Sequence, residues 1–194
     1  MATGRTLVDV TLPLWTVGYG SRSVEQVIEL LGGNGIDCLV DVRTSPYSRF
    51  KPEFNRETLN HDLTRAGIRY VFLGDALGGR PDAPECYMDG KVDYDRVRER
   101  EIYQRGIDKL VAAWRQNMKV AIFCSEGKPE ECHRSKLIGP SLVERGIEIV
   151  HIDENGDGQT QDQVIARITG GQIGLFGDPS FTSRKRYGPE SQDS

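Results

Sequence analysis

No apolar run in this chain approaches the roughly 18 residues that a membrane-spanning helix requires, and no charged-then-apolar leader opens it. The expected location is therefore cytoplasmic, with no membrane partner. A surplus of basic charge is missing too: 25 lysines and arginines face 29 acidic residues, for a net charge of −4. That excludes a globally basic surface for coating nucleic acid, though not a local basic patch. Cysteine is scarce, and the four present (Cys38, Cys86, Cys124, Cys132) are expected as reduced thiols rather than a disulfide framework. Internal repeats and low-complexity blocks are absent as well. What remains is 194 residues, 37% hydrophobic and 28% charged, enough for one soluble domain with its own core.

What is present is an alternation of short apolar runs and amphipathic segments. "LWTVGY", "IDCLVDV", "IRYVFLG", "KVAIFC" and "IEIVHI" read as strands. "VEQVIELLGGNG" places Val24, Val27, Ile28 and Leu31 on one helical face, with Ser23 and Gln26 as a capping box. "NRETLNHDLTRAG" reads as a helix capped by Asn55 and stopped at Gly67. One long helix is expected over residues 93–117, its stripe formed by Val97, Ile102, Ile107, Leu110, Val111 and Trp114. Another should start at Pro129 and be kinked or split by Pro140. "TQDQVIARI" closes the series as a short helix. The pattern predicts an α/β fold, a Rossmann-like three-layer sandwich with about five mostly parallel strands. A single domain spans residues 1–169, with 1–13 as a loose leader or edge strand, and residues 170–194 form a C-terminal tail.

Parallel strands put the loops that follow them on one edge, where such sheets bind ligands. Tyr19 and Ser21 follow the first strand; Asp41, Arg43, Ser45, Ser48 and Arg49 follow the second; Gly78 and Gly79 the third. Cys124, Glu126, Lys128, Cys132, His133 and Arg134 follow the fourth, and His151 and Asp153 end the fifth. A helix starting near Pro129 would turn its amide end toward this loop, favouring an anion and a low cysteine pKa. The expected catalytic groups are Cys124, Glu126, His133 and Asp41. The expected phosphate or substrate contacts are Arg43, Ser45, Ser48, Arg49, Tyr19, Ser21, Gly78, Gly79, Lys128 and Arg134. The Cys-x5-Arg spacing of phosphatase-type loops fails, because Glu130 stands at that position. A buried strand cysteine at Cys124 and a structural bridge from Arg134 or Arg43 to Asp41 or Glu126 stay open as alternatives. So does a metal: the sequence requires no cofactor, but zinc or iron would take Cys124, Cys132 and His133. Against it, neighbours on a helix diverge by about 100° and no Cys-x2-Cys pair exists. "DENGDGQTQDQV" mimics a calcium loop but ends on Val164 where a glutamate is needed.

"TVGYGS", "LVDVRTSPYSR", "YVFLGDALGG", "FCSEGKPEECHR" and "VHI" together resemble the successive motifs of the domain-of-unknown-function 488 family, over Thr16 to Asp153. The resemblance implies a Rossmann-like fold and a rim of matching polar residues, and no established reaction. The family's first motif carries a histidine after the glycine; Tyr19 takes that place here and Gly20 is added.

"RTSPYSRFKPEFNR" interleaves Arg43, Arg49, Lys51 and Arg56 with Tyr47, Phe50 and Phe54, a composition that can hold phosphates and stack bases. In the tail, Gln172, Ile173, Leu175 and Phe176 resemble the short Gln–Leu–x–Leu–Phe peptides that bind the bacterial sliding clamp. Folding of the same residues onto the chain's own core is the alternative. The expected function is action on nucleic acid or nucleotides in DNA repair or replication through an anion-binding Cys-Glu/Cys-His-Arg site. The expected partners are a phosphate-bearing substrate, such as single-stranded nucleic acid, and the clamp. A non-enzymatic nucleic-acid or nucleotide binding module, and a metal- or thiol-dependent enzyme on small metabolites, are the alternatives.

Overall fold

The most continuous apolar runs end at the centre of the sheet, where a strand must be covered on both faces. The computed structural model describes residues 12–171 and 180–187. Strand β1 (Leu14–Gly18) leads through α1 (Val24–Gly33) to β2 (Cys38–Asp41), and α2 (Arg56–Arg65) leads on to β3 (Arg69–Phe72). A single turn, α3 (Gly74–Leu77), and a ribbon of β4 (Tyr87–Met88) and β5 (Lys91–Val92) precede α4 (Tyr94–Glu99) and α5 (Glu101–Arg115). Then come β6 (Val120–Cys124), α6 (Gly139–Val143), β7 (Ile149–Ile152), β8 (Gly158–Thr160) and α7 (Gln161–Thr169). The main sheet has the order β3-β2-β6-β1-β7-β8, parallel throughout except for β8, which pairs antiparallel with β7. Every residue of β2 and β6 is buried.

The chain steps from β1 to β2 and β3, then reverses, returning to β6 between β2 and β1 before moving on to β7. Because parallel crossovers are right-handed, the reversal sends helices to opposite faces. Val24, Val27 and Leu31 of α1 and Leu59 and Leu63 of α2 pack with Val17, Leu39 and Phe123 on one face. Ile107, Leu110 and Val111 of α5 and Leu142 of α6 pack with Val40 and Ile122 on the other. This is a Rossmann-like three-layer sandwich, and the reversal opens a crevice at the carboxyl ends of β1 and β6.

Four local expectations are corrected. The sheet has six strands, because "GQT" turns back as β8 beyond the Asp153–Gly158 turn. The ribbon β4–β5 lies in a stretch whose two-residue strands are too short to show alternation. The long helix is two: Arg100 is extended (φ −74, ψ 134) between α4 and α5, and Ile102 faces solvent. Tyr94 and Val97 and the Tyr103-to-Val111 stripe are both buried, but on two helices separated by the extended Arg100. Pro129 starts only a three-residue 3-10 turn, Pro129–Glu131, rather than a helix. Pro140, lacking an N–H, sits in the first turn of α6 behind a π-type turn, Arg134–Ile138, as the expected split requires. Among the described residues no helix is long and apolar enough to cross a membrane. Residues 1–11 of the leader and the Gln172–Phe176 peptide lie outside the described residues.

Candidate functional site

The parallel pairing of β1 with β6 sets Gly18 beside Cys124, and the ladder continues past both ends through Tyr19 N–H to Cys124 O and Gly20 N–H to Ser125 O. Gly18 has to be glycine: a Cβ there would lie 1.7 Å from the Glu126 carbonyl oxygen. The loop after β6 can therefore lie directly over the end of β1. It turns through Pro129–Glu131 and reaches Cys132 in extended conformation (φ −110, ψ 151). Cys132 is therefore not on a helix, and the helical divergence expected of Cys132 and His133 does not apply. The Sγ atoms of Cys124 and Cys132 each lie 3.7 Å from His133 Nδ1. Glu126 Oε2 lies 3.0 Å from the Cys124 sulfur and 3.7 Å from that of Cys132, and accepts from Ser125 Oγ at 3.1 Å.

The other ring nitrogen of His133, Nε2, donates to Val42 O at 3.2 Å, so a neutral ring turns the Nδ1 lone pair toward the sulfurs. Gly79 packs flat against this ring; a Cβ there would come within 2.7 Å of Cγ. Arg134 is completely buried behind the cluster. Its Nε and backbone N–H donate to Cys132 Sγ at 3.2 and 3.5 Å, and its terminal nitrogens to Thr16 Oγ1 and Glu126 O. Burial opposes ionisation of Cys132. The neighbouring Cys124 thiol, the Arg134 charge and His133 outweigh burial and hold its pKa well below the ordinary thiol value. The Cys124 thiol is pushed well up, first by the neighbouring Cys132 sulfur and then by burial. Burial opposes the charged form of His133, but the neighbouring Cys132 carries its pKa upward.

Behind Arg134 a further chain runs from Thr16 Oγ1 to His151 Nδ1 (2.7 Å), from His151 Nε2 to Gln161 Oε1 (2.7 Å), and from Gln161 Nε2 to Ser135 O (2.8 Å). Burial holds the His151 pKa down at about 4, against an ordinary 6.5. The unfolded ring takes up a proton near 6.5 that the folded ring refuses until about 4, so acid favours the unfolded chain. The stability drawn from the neutral ring is complete above that upper value and falls by about 3 kcal/mol as the pH drops to the lower one. Urea midpoints at neutral and acid pH should show this loss in the native chain and a smaller one in His151→Gln. Equal acid sensitivity in both would rule it out.

Asp41, expected as an acid–base group, is instead fully buried as an acceptor. It takes Arg43 Nε at 2.9 Å, the Arg43 terminal nitrogen at 2.6 Å and Tyr70 Oη at 2.7 Å. Arg43, expected as a phosphate contact, is thereby paired, and its guanidinium stacks 5.1 Å from the Phe123 ring centre. Tyr19 stacks on Phe54 at 4.1 Å between centroids. Both Arg43 and Tyr19 still line a cavity of about 1060 Å³ at the carboxyl edge, together with Ser45, Tyr47, Ser48, Gly79, Arg80, Cys124, Glu126 and His133. Arg134, Ser21, Gly78 and Lys128 are not on its wall: Arg134 and Gly78 are buried, while Ser21 and Lys128 face solvent. Arg49 is likewise exposed beside the cavity lining, and Ser48 Oγ closes its own loop by accepting from Phe50 and Lys51 N–H.

Part of the wall escaped the sequence. Tyr87 and Tyr94 come from the ribbon and α4, and residues 183–185 and Tyr187 come from the chain's end. Thr182 bridges Asp93, Ser183 N–H donates to Val92 O, and Tyr187 N–H donates to Gly90 O, extending the ribbon by one strand-like segment. Nothing near Ser183 in the sequence names the ribbon as its partner. Thr16 and Gln161 sit on strand and helix positions that gave no signal, and His151, expected at the carboxyl edge, is instead fully buried behind Arg134.

The fold and this cluster define a mostly parallel α/β protein with a thiol–imidazole–carboxylate group set at the switch point of its sheet. Residues 23–139, well over half of the chain, match the family model described as Domain of unknown function DUF488, and the chain belongs to that family. No curated protein and no solved structure matches it.

Proposed function

We propose that the chain is an enzyme for a nucleotide or single-stranded nucleic acid held in the 1060 Å³ cavity, with its reactive centre at the cluster of Cys124, Glu126 and His133 on the wall. The observation that carries this reading is the mixture on the wall. Arg80, Lys185 and Arg184, the last paired with Glu131 at 3.4 Å, stand among the rings of Tyr19, Tyr47, Tyr87, Tyr94 and Tyr187, with the Arg80 guanidinium 4.8 Å from the Tyr187 centroid. Cations answer phosphate and rings answer bases, a combination that single-strand binding uses without reading sequence. Phe50, 94% exposed three residues beyond the wall's Tyr47, itself 54% exposed, continues the pattern. The sequence of Gln172, Ile173, Leu175 and Phe176 adds recruitment to a sliding clamp, and hence a place in repair or replication, as the wider setting.

Fluorescence anisotropy with a short labelled single-stranded oligonucleotide tests the reading. Affinity should fall steeply with added salt. Tyr47→Ala with Phe50→Ala should weaken it about tenfold or more, since each stacked base contributes roughly 1–3 kcal/mol. Both side chains are exposed, so the fold should be untouched. Binding that ignores these substitutions, or no binding at low salt, removes nucleic acid as the substrate class.

A further inference from the structure

We propose that Cys124, Cys132 and His133 hold a single zinc ion through Sγ, Sγ and Nδ1, with the fourth coordination position beside Glu126 on the cavity side. The three donor atoms all lie within 4.8 Å of one another, and each sulfur is 3.7 Å from Nδ1. Zinc bonds of about 2.3 Å to sulfur and 2.0–2.1 Å to nitrogen put tetrahedral corners about 3.5–3.8 Å apart, so only small shifts are needed to close on an ion.

Contacts around the donors favour the same assignment. A histidine that binds metal through one nitrogen characteristically donates its other N–H to a carbonyl or carboxylate. His133 does so to Val42 O, which leaves Nδ1 as the lone pair. A bound thiolate is supported by N–H donors, and Cys132 Sγ receives two from Arg134. Burial points away from the rival role. Cys124 is 3% exposed and Cys132 1%, poor access for a nucleophile but no obstacle to a ligand. Two thiolates and one imidazole select a borderline-soft tetrahedral ion and disfavour magnesium or calcium.

Three protein ligands with an open corner mark a catalytic rather than a structural zinc. Cys124, Glu126 and His133 line the cavity, and the Glu126 carboxylate reaches both sulfurs, so a water on the open corner would have that carboxylate within reach. Cys124 is then a ligand and Glu126 the group left to handle protons. The assignment goes beyond the substrate reading and stands or falls separately from it.

Elemental analysis of the purified full chain and reconstitution of metal-stripped protein with zinc or cobalt(II) test the proposal. The expected result is one zinc per chain that survives gel filtration. The cobalt form should show a sulfur-to-metal charge-transfer band and the intense visible bands of a tetrahedral ion. Cys132→Ser and His133→Ala should lose about nine-tenths or more of the bound metal. Cys38→Ser and Cys86→Ser, whose thiols lie elsewhere, should keep it. Because a ligand variant can unfold, the cobalt spectrum of the native chain is the decisive readout. A folded native chain that binds neither ion, stoichiometric iron in place of zinc, zinc lost on gel filtration, or a folded Cys132→Ser that keeps full metal content would each overturn the assignment.

Discussion

Arg134→Ala is expected to lower the stability of the fold by about 3–5 kcal/mol, the scale for stripping one partner from a buried charged network. The guanidinium is the largest fully buried side chain, and its donors end on Thr16 of β1, the Glu126 carbonyl and the Cys132 sulfur. Alanine leaves that oxygen and that sulfur short of donors and opens a cavity between the sheet and the loop over Gly18. Arg134→Met restores most of the volume and should recover part of the loss, separating the packing contribution from the polar one. Urea unfolding of the three proteins measures both. The sequence had placed this arginine on the ligand side, where its removal would spare the fold; buried behind the cysteines, it should cost stability and binding together. A stable Arg134→Ala that fails only to bind oligonucleotide would return it to the cavity wall.

Asp41→Ala should be nearly as damaging, by about 3–5 kcal/mol, because it strands the Arg43 guanidinium and the Tyr70 hydroxyl in the interior. Arg43→Met in the same background removes the orphaned charge. The double variant should therefore be more stable than Asp41→Ala alone, the opposite of what independent losses would give. A double-mutant cycle in urea reads the sign directly. If the double variant is the least stable of the set, the Arg43–Asp41 pair is not the unit described here. The same cycle followed by oligonucleotide binding shows whether Arg43, which lines the cavity, also touches substrate.

Much of the architecture was readable because it depends on local pattern. β2 and β6 are buried along their whole length, as apolar runs must be when helices cover both faces, and Ser23 with Gln26 forms the capping box that starts α1. Cys124, Glu126 and His133 could be expected side by side because a strand end in a parallel sheet delivers its loop to one edge, and they do share the cavity wall. The misplacements share a cause. Arg134 and Asp41 look like surface charges until their partners are known, and those partners lie on β1, on β3 and in the loop after β6. Cys132 and His133 seemed to diverge because the helix was expected to start at Pro129; the chain makes a 3-10 turn there and is extended at Cys132.

By itself, then, the sequence determined the alternation of strand and helix, the parallel sheet and the chemical types gathered at its carboxyl edge, since spacing of apolar side chains and strand-end position are properties of neighbouring residues. Only the tertiary structure decided which charges face the cavity and which are locked beneath it, how residues 182–187 join the ribbon, and that two cysteines and a histidine converge to within 4.8 Å. Those outcomes depend on the register of β1 against β6 and on the path of a loop across Gly18, and hydrogen-bond partners set by segments far apart in the chain leave no periodic mark in it.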